Sequence, residues 1–449
     1  MAKTQKFTAF TLVASLIVAI GGLLFGYNTS SISGAILFLA KDFNLSTIAQ
    51  EMIVSIILIG ALIGACFGGI LTDRVGRKAT LILTTVVFLI GTFLVMTANH
   101  IAMLVIGRII LGLAIGIVSL SVPLYIAEMS DPRHRGALVS LNQLAITIGI
   151  LLAYVVDYFY APTGDWRSMF GIALIPTILL FIGLFFIPET PSFLASQGKK
   201  EKALKILKKI EIDTSKSEVA LSTKISTKKM ASWKKLFEKS VRPALFAGIG
   251  ISVFQQITGI NIVIYYAPRI FQLAGLESAA SAILATMGVG TINLFMTFVA
   301  LWLIDMVGRK PLLIVGILGM VASLGVLGIG FLESTKATSI ISIVSLMTYV
   351  SFFAISLGPV AWLIISEIYP MGIRGRAMGI AIFANWTCNY IVSLTFLTLV
   401  DFLGKSGTFW LYAAIGLLAL WFVIKKIPET KGKELKEIQD YFKKKAAKK

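Results

Sequence analysis

Carboxamides stand inside long apolar runs of this chain, among them Gln143, Gln255, Gln256, Asn261, Asn293, Asn385 and Asn389. Each offers two donors and an acceptor, so the set could hold a neutral ligand whose hydroxyls both donate and accept. An amide left unpaired in apolar surroundings costs about 1–3 kcal/mol, which makes these positions informative. Trp362 and Trp386 lie in the same runs and would add flat apolar faces with one polar N–H, suited to the C–H face of a polyhydroxylated ring. Any single amide could equally join two helices. The set as a whole, spread over both halves of the chain, points to a neutral polar ligand.

Other chemistries lack candidates. A phosphate-binding glycine loop with its Lys, a metal-ligand cluster and a nucleophile beside a His are all missing, and His100 and His134 sit at the ends of apolar runs. The sequence therefore predicts no enzyme, no cofactor and no metal, with a solute or ion gradient as the driving force. Cys66 and Cys388 lie inside apolar runs and read as small core residues, not as disulfide or zinc ligands. Arg108 interrupts the apolar stretch Met103 to Val118, and an ionised side chain at such depth is a functional candidate. Counted along antiparallel helices, Asn28 falls at a similar depth and could partner it.

These residues must be positioned by membrane helices. Hydrophobic residues make up 57% of the 449 positions and charged ones 14%, against about a quarter charged in soluble proteins. Apolar runs of about 20 residues, enough to cross a bilayer, occur at Thr11 to Leu39, Met52 to Leu71, Ala79 to Ala98, Ile101 to Ile126, Ala137 to Val156 and Met169 to Ile187. Six more follow at Ala244 to Ile270, Ala282 to Ile304, Leu312 to Phe331, Ile340 to Ile365, Ala377 to Val400 and Phe409 to Ile424. A barrel would alternate apolar and polar residues, so an all-α membrane protein with twelve transmembrane helices is expected. The formal net charge of +19 belongs to topology and not to a nucleic-acid partner. With the N-terminus in the cytoplasm most of the 41 Lys and Arg fall on that side, and the outer loops keep scattered ones such as Lys41, Lys336 and Lys405. The basic tail Lys443 to Lys449 reads as a solvated terminus that could touch anionic lipid.

The chain repeats itself. Asp73-Arg74-Val75-Gly76-Arg77-Lys78 returns as Asp305-Met306-Val307-Gly308-Arg309-Lys310. Glu128 before Arg135-Gly136 returns as Glu367 before Arg374-Gly375, and Pro188-Glu189-Thr190 as Pro428-Glu429-Thr430. Three matches in the same order predict two homologous six-helix bundles, 1–190 and 241–430, joined by a cytoplasmic helical linker 191–240 and followed by the tail 431–449. Such a pair places a solute site at the bundle interface, exposed alternately to either side. The spacing of Gly60, Gly64 and Gly68, and of Gly112 and Gly116, predicts close helix contact. Gln255-Gln256-Ile257-Thr258-Gly259-Ile260-Asn261 with Pro268, and Gly358-Pro359 before Trp362, predict two broken helices, since freed backbone groups at membrane depth are tolerated beside a cavity or ligand.

The paired loops, the Pro-Glu-Thr ends, the Gln255 to Asn261 motif and the Gly358-Pro359 to Trp362 segment together resemble the sugar porter family of the major facilitator superfamily, over essentially the whole chain. The resemblance implies the two-bundle fold and a sugar site lined by Gln143, Gln255, Gln256, Asn261, Asn293, Trp362, Asn385 and Trp386, with Ile146 and Ile150 as its apolar wall. It also implies a cytoplasmic gating network of Arg77, Glu128, Arg135 and Glu189 in one half and Arg309, Glu367, Arg374 and Glu429 in the other. In proton-coupled relatives the position of Asn28 is an acid paired with the Arg, whereas Tyr27-Asn28-Thr29 looks like the glucose facilitators. The expectation is a monomeric, multi-pass carrier in a bacterial inner membrane with both termini cytoplasmic. It moves a hexose such as glucose without coupling, with Arg108 as a positional donor. Proton symport, and a non-transporting sugar receptor on the same scaffold, are the alternatives.

Overall fold

The computed structural model describes residues 8–131, 134–210, 236, 238–333, 336–370, 373–433 and 437–442. The basic tail Lys443 to Lys449 and most of the linker after 210 fall outside these residues.

The described chain is helical throughout. The helices are α1 (Ala9–Ser30), α2 (Ile32–Asp42), α3 (Thr47–Val75), α4 (Arg77–Met96), α5 (Ile101–Glu128), α6 (Arg135–Tyr160), α7 (Trp166–Gly171), α8 (Leu174–Phe186), α9 (Pro191–Ser196) and α10 (Lys200–Lys209). They continue as α11 (Arg242–Ile257), α12 (Ile260–Leu273), α13 (Ala279–Val307), α14 (Arg309–Gly330), α15 (Lys336–Ile355), α16 (Leu357–Ile368) and α17 (Arg374–Lys426). Eleven continuous stretches are long and apolar enough to cross a membrane, among them the pairs α1 with α2, α7 with α8, α11 with α12 and α15 with α16. The last, α17, is 53 residues long and turns at Gly404 (φ 75°, ψ 168°), so it holds two crossings and the described total becomes twelve. Phe67, Phe93, Phe186, Phe295, Trp302 and Trp421 are exposed, which suits helices whose outer surface meets lipid.

The residues cluster into two compact units. The first comprises Met1–Thr29, Ile59–Ile150 and Phe170–Lys229. In it α3 and α5 approach so closely that a Cβ on Gly64 would run into the Leu113 carbonyl, and one on Gly116 into that of Ala61. Small residues allow such contact, as the glycine spacing predicted. Cys66, read from sequence as a core residue, is instead exposed on α3, on the surface left over by that contact; Cys388 is half-buried.

The second unit comprises Ser30–Leu58, Leu151–Met169 and Met230–Lys449. It therefore contains the ends of α2, α3 and α6 that lie away from the repeated Asp-Arg loops, here called the far end. Leu37, Ala161 and Ile283 form a buried apolar cluster there with Phe38, Ala279 and Ala280 around it. Glu51 on α3 is buried and accepts from the N–H (2.8 Å) and the hydroxyl (2.6 Å) of Thr398 on α17. The Tyr154 hydroxyl of α6 donates to the Ile264 carbonyl of α12 (2.8 Å). Trp166 Nε1 donates to Asp42 (2.8 Å). Within this unit the far end is sealed by apolar packing and by these bonds.

Candidate functional site

Two helix breaks build the centre of the second unit. Gly259 lies between α11 and α12 with φ 97°, a left-handed conformation that favours glycine. Ser356 separates α15 from α16 at φ −126°, ψ −99°. Side chains of each broken helix bond carbonyls beside the break in the other. Gln255 Nε2 of α11 donates to the Leu357 carbonyl (2.9 Å) and the Gly358 carbonyl (3.1 Å), whereas the Tyr349 hydroxyl of α15 donates to the Thr258 carbonyl (2.9 Å). The two breaks are cross-tied.

The remaining amide groups extend from this tie. Gln255 Oε1 accepts from Asn385 Nδ2 (2.7 Å) and from Gln256 Nε2 (3.4 Å). Gln256 Nε2 donates to Asn385 Oδ1 (3.0 Å), and Asn385 Nδ2 also reaches the Ser252 carbonyl (2.9 Å). Asn261 Nδ2 donates to Gln256 Oε1 (2.5 Å). Gln255, Gln256 and Asn385 are buried, Asn261 half-buried. Four of the amides singled out from sequence are thus one hydrogen-bonded cluster on α11, α12 and α17. Nearby in the same unit Asn389 Nδ2 donates to the Tyr265 hydroxyl (3.4 Å).

Three further expected site residues of this unit make no hydrogen bond to that cluster. The Asn293 side chain on α13 is buried and makes no hydrogen bond among the described residues, so its amide is available. Trp362 on α16 is 38% exposed, whereas Trp386 on α17 is 5% exposed, so one indole offers its face and the other packs. In the first unit, Gln143 and Ile146 on α6 are half-buried and Ile150 is buried, all spaced about one turn apart. The backbone beside Ile146 fits against α1, where a Cβ on Gly26 would strike the Ile146 carbonyl.

Asn28 and Arg108, expected from sequence as the coupling position, are both buried. Asn28 is 2% exposed and its Nδ2 donates to the Leu24 carbonyl one turn earlier (2.9 Å). Arg108 is wholly buried, with its guanidinium carbon 5.8 Å from the centre of the Phe170 ring.

The repeated loops fold alike in both units. Gly76 (φ 101°, ψ 166°) and Gly308 (φ 105°, ψ 166°) turn the chain so that the next two backbone N–H groups point at one carboxylate. Glu189 receives the N–H groups of Arg77 (3.1 Å) and Lys78 (3.0 Å); Glu429 receives those of Arg309 (3.1 Å) and Lys310 (3.0 Å). Anions sit well at such helix N-termini. Arg77 pairs with Glu128 (3.0 Å) and Arg309 with Glu367 (3.3 Å). The halves differ at the threonine: Thr190 Oγ1 donates to Glu128 (2.5 Å), whereas Thr430 Oγ1 and Glu367 Oε2 are buried without hydrogen-bond partners. Arg135 and Arg374, expected in the network, reach backbone carbonyls instead, those of Ala127 (3.1 Å) and Tyr369 (3.2 Å). Burial pushes the Glu429 carboxyl up, but the N–H groups of Lys431, Lys310, Arg309 and Thr430 outweigh it and hold the group below the ordinary carboxylate value.

Sequence reasoning missed Glu51 and the burial of Asp157. Asp157 stands just past the apolar run Ala137 to Val156 and is wholly buried. The signal was available in part: each acid sits beside an apolar run, where an unpaired charge is costly.

Residues 14–442 match the family model described as Sugar (and other) transporter. The glucose transporter GlcP of Staphylococcus epidermidis is 40% identical over 440 residues, covering 97% of this chain and 97% of that protein. The galactose-proton symporter of Escherichia coli K12 is 38% identical over 439 residues, covering 96% and 94%. Among solved structures, the inward open conformation of the xylose transporter XylE from E. coli superposes with a TM-score of 0.82 at 35% identity, covering 95% of this chain and 98% of that one.

Proposed function

Since the chain belongs to the sugar transporter family of the major facilitator superfamily, we propose that it carries a monosaccharide, a hexose such as glucose, across a bacterial cell membrane by alternating access and without proton coupling. The observation that carries the sugar site is the amide cluster of Gln255, Gln256, Asn261 and Asn385, whose donors and acceptors match those of ring hydroxyls. Asn293 and Trp362 offer an unengaged amide and an open indole face in the same unit. Gln143, Ile146 and Ile150 would complete the site from the N-terminal bundle as the two bundles rock. Arg77, Glu128 and Glu189, with Arg309, Glu367 and Glu429, would hold the helix ends on the cytoplasmic side, where both termini also lie. Arg135 and Arg374 would engage them in the outward-open state. The carrier works as a monomer in this reading.

Absence of coupling rests on Asn28, which cannot titrate and is already bonded to its own helix. Proton symport is the second reading, favoured by the name of the galactose-proton symporter relative. Proteoliposomes loaded with buffer and given labelled glucose separate the two. Equilibration to equal concentrations with and without an acid-outside gradient supports uniport. Accumulation above the outside concentration, or sugar-induced alkalinisation of the medium, overturns it. No uptake at all, with binding retained, would leave a receptor.

A further inference from the structure

Asp157 has no task in the sugar site. It lies three residues before the end of α6, wholly buried. Its Oδ2 accepts one hydrogen bond, from the Gly34 N–H of α2 (3.0 Å), and its Oδ1 has no hydrogen-bond partner. The fit is tight, because a Cβ on Gly34 would collide with the Asp157 side chain. Beside Gly34 stand Ser31 and Ser33, small, neutral and buried. No ion pair involves Asp157 among the described residues.

The titratable groups around it are few. Tyr154 faces it from its own helix and is committed to the Ile264 carbonyl; Tyr265 of α12 lies beyond Tyr154 and meets Asn389. On α2 the first charged groups are Lys41 and Asp42, about 10 Å further along the helix axis, and Asp42 is held by Trp166. On α13 the only charged residue is Asp305, near the opposite end of the helix. An ionised carboxylate with one donor and no cation is costly in such a place, and neutralisation is the favoured outcome.

We propose that Asp157 is a proton-binding site that governs opening of the far end. In the sealed state its carboxyl carries a proton. When α2 parts from α6, water enters from that side, the O–H bond breaks, the proton passes to water and the carboxylate remains on the protein. On closing, the proton returns from the same side, so it regulates the cycle without being carried through it. The inference rests on the reading of this chain as a carrier whose far end opens, and is independent of the sugar's identity.

The test uses the full chain with Cys66→Ser and Cys388→Ser and a single Ala161→Cys, in the sealed apolar cluster. Maleimide labelling is measured from pH 5 to 8, each rate divided by that of the denatured chain at the same pH, which removes the thiol's own titration. One linked proton gives a normalised rate rising by up to about tenfold per pH unit. Asp157→Asn, which stays neutral, should give a low rate that does not change with pH. A flat profile with Asp157 intact overturns the proposal even if the Asn variant does not fold, and an equal slope in both overturns the assignment to this residue. Equilibration of glucose in proteoliposomes is read separately, so failure of the carrier reading is not confused with failure of the proton site.

Discussion

Asn293 and Gln255 carry the same functional group but are used differently, and this sets what their removal does. Gln255 holds two backbone carbonyls at a helix break, whereas the Asn293 amide is unengaged. Asn293→Ala is therefore expected to weaken glucose binding about tenfold, the equivalent of one lost hydrogen bond, and to leave Tm unchanged; tryptophan-fluorescence titration and a thermal melt check both. Gln255→Ala should lower affinity and Tm together, because it removes the bonds that tie the two broken helices. The amides were legible in the sequence because polar groups in apolar runs stand out. Their division of labour was not, because their partners are carbonyls more than 100 residues away. The burial of Asp157 was not legible for the same reason: its partner Gly34 lies 123 residues earlier.

At the scale of elements, the repeated loops were the most legible feature, and the structure gives the reason for their Gly-Arg-Lys and Pro-Glu-Thr pairs. The glycine turns the backbone, the two following N–H groups converge, and the glutamate fills the space between them. Gly308→Ala forces a left-handed conformation and crowds the Glu429 carboxylate, so a loss of about 1–2 kcal/mol is expected in detergent melts. Glu429 also sets a pH limit. Its folded value is lowered, so its contribution to stability is complete above the ordinary value of 4.5 and is lost as pH falls through the folded value. The Tm gap between wild type and Glu429→Gln should accordingly be constant at neutral pH and shrink below about pH 4.5. The breaks at Gly259 and Ser356 were legible from glycine and proline. The carbonyl acceptors at the two breaks could not be read from the chain, since the ties run between distant helices.

For the molecule as a whole, twelve apolar spans were readable from length and hydropathy alone, with the turn at Gly404 dividing the last two. What escaped was which ends pack together. The far end closes through Glu51 on Thr398 as well as through Asp157 on Gly34, and neither contact has a sequence signature. Glu51→Gln exchanges charge-assisted bonds for weaker ones and is expected to raise labelling of Ala161→Cys about tenfold at every pH. An unchanged rate would assign the sealing to the apolar cluster alone.

The cross-tie between the two broken helices bears on how the carrier meets its sugar from each side. In the proposed site, ring hydroxyls that competed for Gln255 would loosen its hold on α16, part of the helix pair that Tyr349 ties to the other break. Whatever factor by which sugar shifts the bending equilibrium, bending must change sugar affinity by the same factor. An uncoupled carrier still brings both compartments to one concentration, yet its half-saturation should differ between the two faces. Influx and efflux measured on the same vesicles would then have unequal KM values and, in the same proportion, unequal maximal rates.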